Sequence, residues 1–172
     1  PTIKQGGKAD ICIAGMTISD ERLEEVDFSD PYLNSNQGIV AAAGSDLNSE
    51  SLNAEGMQVA CQTGTTGDDW ISENLPNATK VPLADVTAAL MGISTGLYNA
   101  MVIDLPVAQN MIAESFSDLE VVEEIPTGEQ YGIAVSKDNP GLLAAINEAL
   151  AAVEEDGTMD EIKQKWFGTT EI

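Results

Sequence analysis

Short apolar runs of strand length alternate with amphipathic stretches along most of the 172-residue chain. The runs fall at 11–14, 39–43, 59–61, 101–103, 120–122 and 131–135, and each predicts a strand. Helices are predicted between them. Residues 66–74 follow a Gly-Thr-Thr-Gly turn; 85–95 open on an Asp suited to capping free N–H groups and close at Gly96. Residues 105–114 carry Pro106 in the first turn, where a missing N–H is harmless. The last third changes character. Residues 140–155 and 158–166 predict two successive helices parted by Asp156-Gly157, and Leu143, Ile146, Ala149, Leu150 and Val153 fall on one stripe of the first. Strands alternating with helices imply an α/β architecture, with the terminal helix pair packed on a sheet face.

Charge narrows the function classes. Asp and Glu number 29 against 7 Lys and Arg, a formal net charge of −22. Such a polyanion repels nucleic acid and anionic membrane surfaces, so neither is an expected partner. A hydrophobic content of 43% fits a globular protein and not a charge-driven disordered one. Histidine is absent, which removes the commonest general base and the Ser-His and Cys-His nucleophile systems. Cys12 and Cys61 form no CxxC pair, so no metal or redox motif is expected; no cofactor is expected either. Both lie in apolar runs and read as buried free thiols, with a disulfide as the alternative. No uninterrupted apolar stretch has spanning length, and no signal-peptide pattern is present. Residues 1–7 read as the end of a helix and its glycine stop, so an N-terminal part of the natural protein is expected to be missing.

Three elements could carry ligand chemistry. Arg22 is the only arginine, five residues after Thr17 on a short helix that Ser19 or Asp20 can cap, with Gly15 allowing close backbone approach. A planar guanidinium suits bidentate grip of a carboxylate; the alternative is a salt bridge to Asp20, Glu21, Glu24 or Glu25. The second element is Gln62-Thr-Gly-Thr-Thr-Gly67, a strand-to-helix turn whose N–H groups make an anion site or an ordinary threonine cap. The third is Asp104, directly after an apolar strand and before a helix, positioned to pair with an ammonium or to cap that helix. Together they complement a zwitterion.

The stretches "GKADICIAGMTISDERLEEVDFSDPY", "VACQTGTTG", "YNAMVIDLPVA" and "EQYGIAVSKDNPGLLAAINEALAAVEEDGTMDEIKQKWFG" resemble, in order, the polar amino-acid-binding proteins of ABC importers. These are type II periplasmic-type solute-binding proteins. The similarity runs over essentially the whole chain and begins roughly a quarter to a third of the way into the usual family protein. The resemblance implies two lobes joined by a two-crossing hinge, with lobe 1 incomplete. Residues 1–40 and 132–172 would form lobe 1 and residues 41–131 lobe 2, with crossings near 38–43 and 130–135. It places Arg22 on the ligand α-carboxylate beside Thr17 and the Gly15 backbone, a Thr66 N–H on the same carboxylate, and Asp104 on the α-ammonium. Gln62 falls at a variable position that faces the ligand side chain. Asn99 stands where the family often has Asp, with little effect expected, and the family's ligand-sandwiching aromatics and one early acid belong to the missing portion.

The function so implied is that of an extracytoplasmic binding protein. It would capture a free amino acid by lobe closure and deliver it to an ABC membrane permease. It would not be an enzyme and would carry no catalytic residue. An incomplete lobe 1 would expose apolar surface and favour self-association or swapping. A receptor's ligand-sensing domain and a dehydratase-type enzyme on the same fold are the alternatives.

Overall fold

The computed structural model describes residue 3 and residues 8–170. The helix end read at residues 1–7 therefore lies, apart from Ile3, outside the described residues. The chain forms two compact units, one of residues 1–35 and 128–172, the other of residues 36–127. It passes between them twice, at 35/36 and 127/128, where the sequence placed crossings near 38–43 and 130–135.

The 36–127 unit holds most of the sheet. Strand β3 (Leu33–Ala42) enters it, followed by α2 (Ser49–Leu52), β4 (Gln58–Gln62), α3 (Thr66–Asn74), β5 (Thr79–Leu83), α4 (Val86–Ser94), β6 (Ala100–Asp104), α5 (Leu105–Ser115) and the first half of β7 (Leu119–Val135). Hydrogen bonds order the strands β7-β3-β6-β4-β5. Strand β4 runs parallel to β5 and β6, and β6 runs antiparallel to β3 with Gln37 opposite Asp104. The central stretches 39–41 of β3, 59–61 of β4 and 100–103 of β6 are apolar without a break because both sheet faces are covered there. Val40, Ala60, Met101 and Ile103 point to one face, packed with Ala89, Leu90 and Ile93 of α4. Their neighbours Ile39, Ala41, Val59, Cys61, Ala100 and Val102 point to the other, packed with Leu52 of α2 and Ile71 of α3. Helix starts follow their caps. Thr65 Oγ1 accepts from Asp68 N at 3.3 Å and Asp85 Oδ1 from Ala88 N at 2.8 Å.

The other unit is leaner. Strand β1 (Ile11–Thr17), helix α1 (Asp20–Glu25) and strand β2 (Asp27–Phe28) precede β3, and helices α6 (Pro140–Glu155) and α7 (Thr158–Phe167) follow β7. Both β1 and β2 pair antiparallel with the end of β7, Ile11 and Asp27 each opposite Val135. One cluster here holds buried Ile3, Val26 and Ala134, backed by partly buried Ala9, Cys12, Met16 and Phe28, and Leu33, Tyr131, Ile133 and Val135 are buried as well. One expectation changes. The runs at 120–122 and 131–135 belong to one 17-residue strand, because the polar residues between them alternate in and out as a strand requires. The apolar stripe of α6 is half-buried at Leu143, Ile146, Leu150 and Val153, and neither α6 nor α7 has a fully buried residue. Among the described residues, no helix is long and apolar enough to cross a membrane.

Candidate functional site

In the first unit, Gly15 sits at φ +58°, inside the β1–β7 register shift between Cys12 and Met16. A β-carbon there would be strained and would come within 3.3 Å of the Tyr131 ring. The Tyr32 hydroxyl is pushed above its ordinary pKa by burial, against the opposing effect of a hydrogen bond with the Gly15 backbone. The Tyr32 and Tyr131 rings lie 6.3 Å apart, tilted by 49°. The bulge thus rests on two tyrosines. One turn later the chain leaves β1 at Thr17, which is buried and donates through Oγ1 to Glu129 Oε2 at 3.1 Å.

Arg22 stands on α1, whose N-cap Ser19 accepts from the Arg22 N–H at 3.3 Å. Its Nη1 donates to the Thr17 carbonyl at 2.9 Å. Among the described residues the guanidinium makes no salt bridge, despite four acids within three residues on either side. The ion-pair alternative fails because α1 turns Asp20, Glu21 and Glu24 towards solvent while the arginine folds back onto its own strand end. One guanidinium edge is thus fixed by a neutral backbone acceptor, which orients the forked donor group.

In the second unit, three polar side chains meet. Gln37 Nε2 donates to Thr66 Oγ1 at 3.0 Å and to Asp104 Oδ1 at 2.7 Å. Thr66 begins α3 and Asp104 precedes α5. The Asp104 side chain makes no cap hydrogen bond to α5, which removes the capping alternative. Helix α3 comes this close because residue 67 is glycine. A β-carbon there would lie 3.0 Å from the Val102 carbonyl and 3.1 Å from Gln37 Oε1. Gln62, half-buried, donates instead to the Ala84 carbonyl at 3.3 Å and, among the described residues, stays outside this group.

The turn before α3 is braced from behind. Gly64 takes φ +75°, and its N–H donates to Asp68 Oδ2 at 3.0 Å. Asp68 also pairs with Lys80, whose ammonium reaches Ser72 Oγ at 2.7 Å. The Lys80 hydrogen bond holds the Asp68 carboxyl below its ordinary range, and Asp68 in turn raises Lys80. Buried Cys61 is pushed up to about 12, first by desolvation and then by the Asp68 charge. Both cysteines are free. Among the described residues no cluster of His, Cys, Asp and Glu could hold a metal ion.

Comparison with known proteins decides the family. The family model for bacterial extracellular solute-binding proteins, family 3, matches residues 3–169. The chain belongs to that family. It is 33% identical over 163 residues to an ABC transporter glutamine-binding protein of Bacillus subtilis, covering 95% of this chain and 59% of that protein. Among solved structures, an ancestral arginine-binding protein bound to glutamine is 37% identical with a TM-score of 0.89, over 98% of this chain and 75% of the other. An ancestral amino acid-binding protein, a precursor of cyclohexadienyl dehydratase, is 36% identical with a TM-score of 0.90, over 97% of this chain and 72% of the other. The type II binding-protein fold is thereby shown. This family-3 chain spans 59% and 61% of the length of the first two curated relatives it matches.

The sequence reading missed Gln37, Tyr131 and Glu129. Gln37 stood in a polar run, Asn34-Ser-Asn-Gln37, taken as preceding a strand that in fact begins at Leu33. A fully buried glutamine inside a strand is a signal that burial alone reveals.

Proposed function

We propose that this chain is the amino-acid-binding part of an extracytoplasmic ABC-transporter component, capturing a free amino acid by closure of its two lobes and delivering it to a membrane permease. The observation that carries the reading is the sole arginine. It is oriented by a backbone carbonyl and, among the described residues, unneutralised by any acid. A guanidinium held in that way is suited to an α-carboxylate, with the Thr17 hydroxyl and the Gly15 backbone beside it in sequence and strand. The chemistry of the other unit is complementary: a Thr66 at a helix start for the same carboxylate, and an Asp104 carboxylate for an α-ammonium. Gln62 is assigned to the ligand side chain. Family membership supports the transport role, and the relatives named above are binding proteins for glutamine and arginine.

Closure follows from thermodynamics. A ligand favours the closed form only through contacts better made there, and groups divided between two units supply that difference. Isothermal titration calorimetry with L-glutamine, L-arginine and L-cystine tests the reading. Saturable binding of one of them is expected, and no binding of any contradicts it. A second reading, a dehydratase, is favoured only by the kinship to a dehydratase precursor. Turnover of prephenate or arogenate is the outcome that would select it.

A further inference from the structure

Gln37 is fully buried, and its carboxamide is one bond from each of the two polar groups of its unit. Its place is set by backbone register, since Gln37 on β3 lies directly opposite Asp104 on β6. Which end of the carboxamide faces Asp104 is decided by chemistry. An ionised carboxylate only accepts, so the Nε2 hydrogens must point to it. Nε2 carries two hydrogens, and the two acceptors Thr66 Oγ1 at 3.0 Å and Asp104 Oδ1 at 2.7 Å use both.

We infer that Gln37 is a positioning residue that aims the Asp104 carboxylate and the Thr66 hydroxyl at an amino acid's polar head while leaving the Asp104 charge intact. This inference rests on the amino-acid reading of the site. A lysine or arginine at residue 37 would orient Asp104 equally well, but its charge would cancel the attraction for a ligand ammonium. A neutral donor fixes direction without that loss. Because Gln37 Oε1 lies 3.1 Å from where a β-carbon on Gly67 would stand, the carboxamide also sets how closely α3 seats against the sheet. Gln37 touches the two ligand-facing groups and not the ligand, so its effect is on discrimination.

The test measures how strongly the chain prefers an α-ammonium. Affinities are compared for L-glutamine and its deamino analogue glutaramate, and for L-arginine and 5-guanidinopentanoate, in wild type, Gln37→Met and Gln37→Leu. Gln37→Met keeps length without donors, and Gln37→Leu removes the donors with a different neutral shape in case the first variant folds poorly. The preference for the amino form is expected to fall about tenfold or more in both, the weight of a hydrogen bond to a charged group. A purely structural role would weaken both ligands equally and leave the ratio unchanged, which overturns the inference. A second readout needs no ligand. In Gln37→Met the Asp104 side-chain carboxyl carbon resonance is expected to move while that of Asp46 stays in place; an unmoved Asp104 resonance overturns the inference. If the wild type shows no ammonium preference while the Asp104 resonance does move, the amino-acid reading fails and the Gln37–Asp104 coupling stands.

Discussion

The two units are built from similar strands but differ in how those strands are covered. In the 36–127 unit, successive residues of β3, β4 and β6 alternate between two separate cores, and ten of the buried side chains on one face alone interlock. In the other unit, β1 leaves Ile13 60% exposed and Ile11 37% exposed, and α6 and α7 have no fully buried residue. Trp166 is 54% exposed at the end of α7. The lesson concerns how each unit holds its polar groups. The covered unit holds its Asp104 group on a rigid frame, whereas Arg22 owes its placement to local bonds with Thr17 and Ser19.

The largest expected effect on that contrast is in the core. Leu90→Ala, at a fully buried position in the cluster with Ala60 of β4 and Met101 of β6, should cost about 2–5 kcal/mol in urea unfolding. Leu150→Ala on half-exposed α6 should cost about 1 kcal/mol or less. Equal costs would erase the distinction. Next is association. Among the described residues β1 pairs only with β7, and an apolar edge invites a second copy. Concentration-dependent self-association is expected in sedimentation velocity, and Ile13→Lys should reduce it. That sign is informative because added lysine lowers the net charge of −22 and would otherwise ease contact between polyanions. A monomer at all concentrations would break the comparison.

The thiols give a chemical version of the same contrast. Cys61 is fully buried with its pKa pushed up to about 12, so iodoacetamide at pH 8 should label half-buried Cys12 first. Equal labelling rates, followed by mass spectrometry, would show the covered unit opening as readily as the other. The smallest effect concerns pH. Asp68 titrates below its ordinary 3.8 when folded, so its contribution is present above about 3.8 and lost as pH falls through the lower folded value. Lys80 titrates above its ordinary 10.5, so its contribution is present below that pH and lost as pH rises through the folded value. Lys80→Met should therefore lower stability modestly between about pH 4 and 10 and leave it unchanged near pH 2. A difference that persists at pH 2 would assign the effect to packing.

Much of the fold was legible because period and caps agree. The helix starts at Thr65 and Asp85 and the strands at 59–61 and 101–103 follow from residues that allow little else. Strand β5 was not legible, since Thr79-Lys-Val-Pro-Leu83 is an exposed edge strand with a proline and little apolar pattern. Helix α6 was legible with its bounds, and its stripe is half-buried at Leu143, Ile146, Leu150 and Val153, but no residue of it is fully buried. Its stripe states which face seeks burial, but a sequence cannot state whether a partner surface is present. At the site, Arg22 and Asp104 were visible as unusual residues in marked places. Gln37 was not, because its meaning comes from the β3–β6 register that sets it opposite Asp104.

The proposed role of Arg22 is to grip a ligand carboxylate. Calorimetric titration of the amino acid that the wild-type chain binds, repeated on Arg22→Ala and Arg22→Lys, tests it most directly. Arg22→Ala is expected to abolish binding and Arg22→Lys to weaken it strongly, because an ammonium lacks the planar fork. Wild-type affinity in both variants would contradict it.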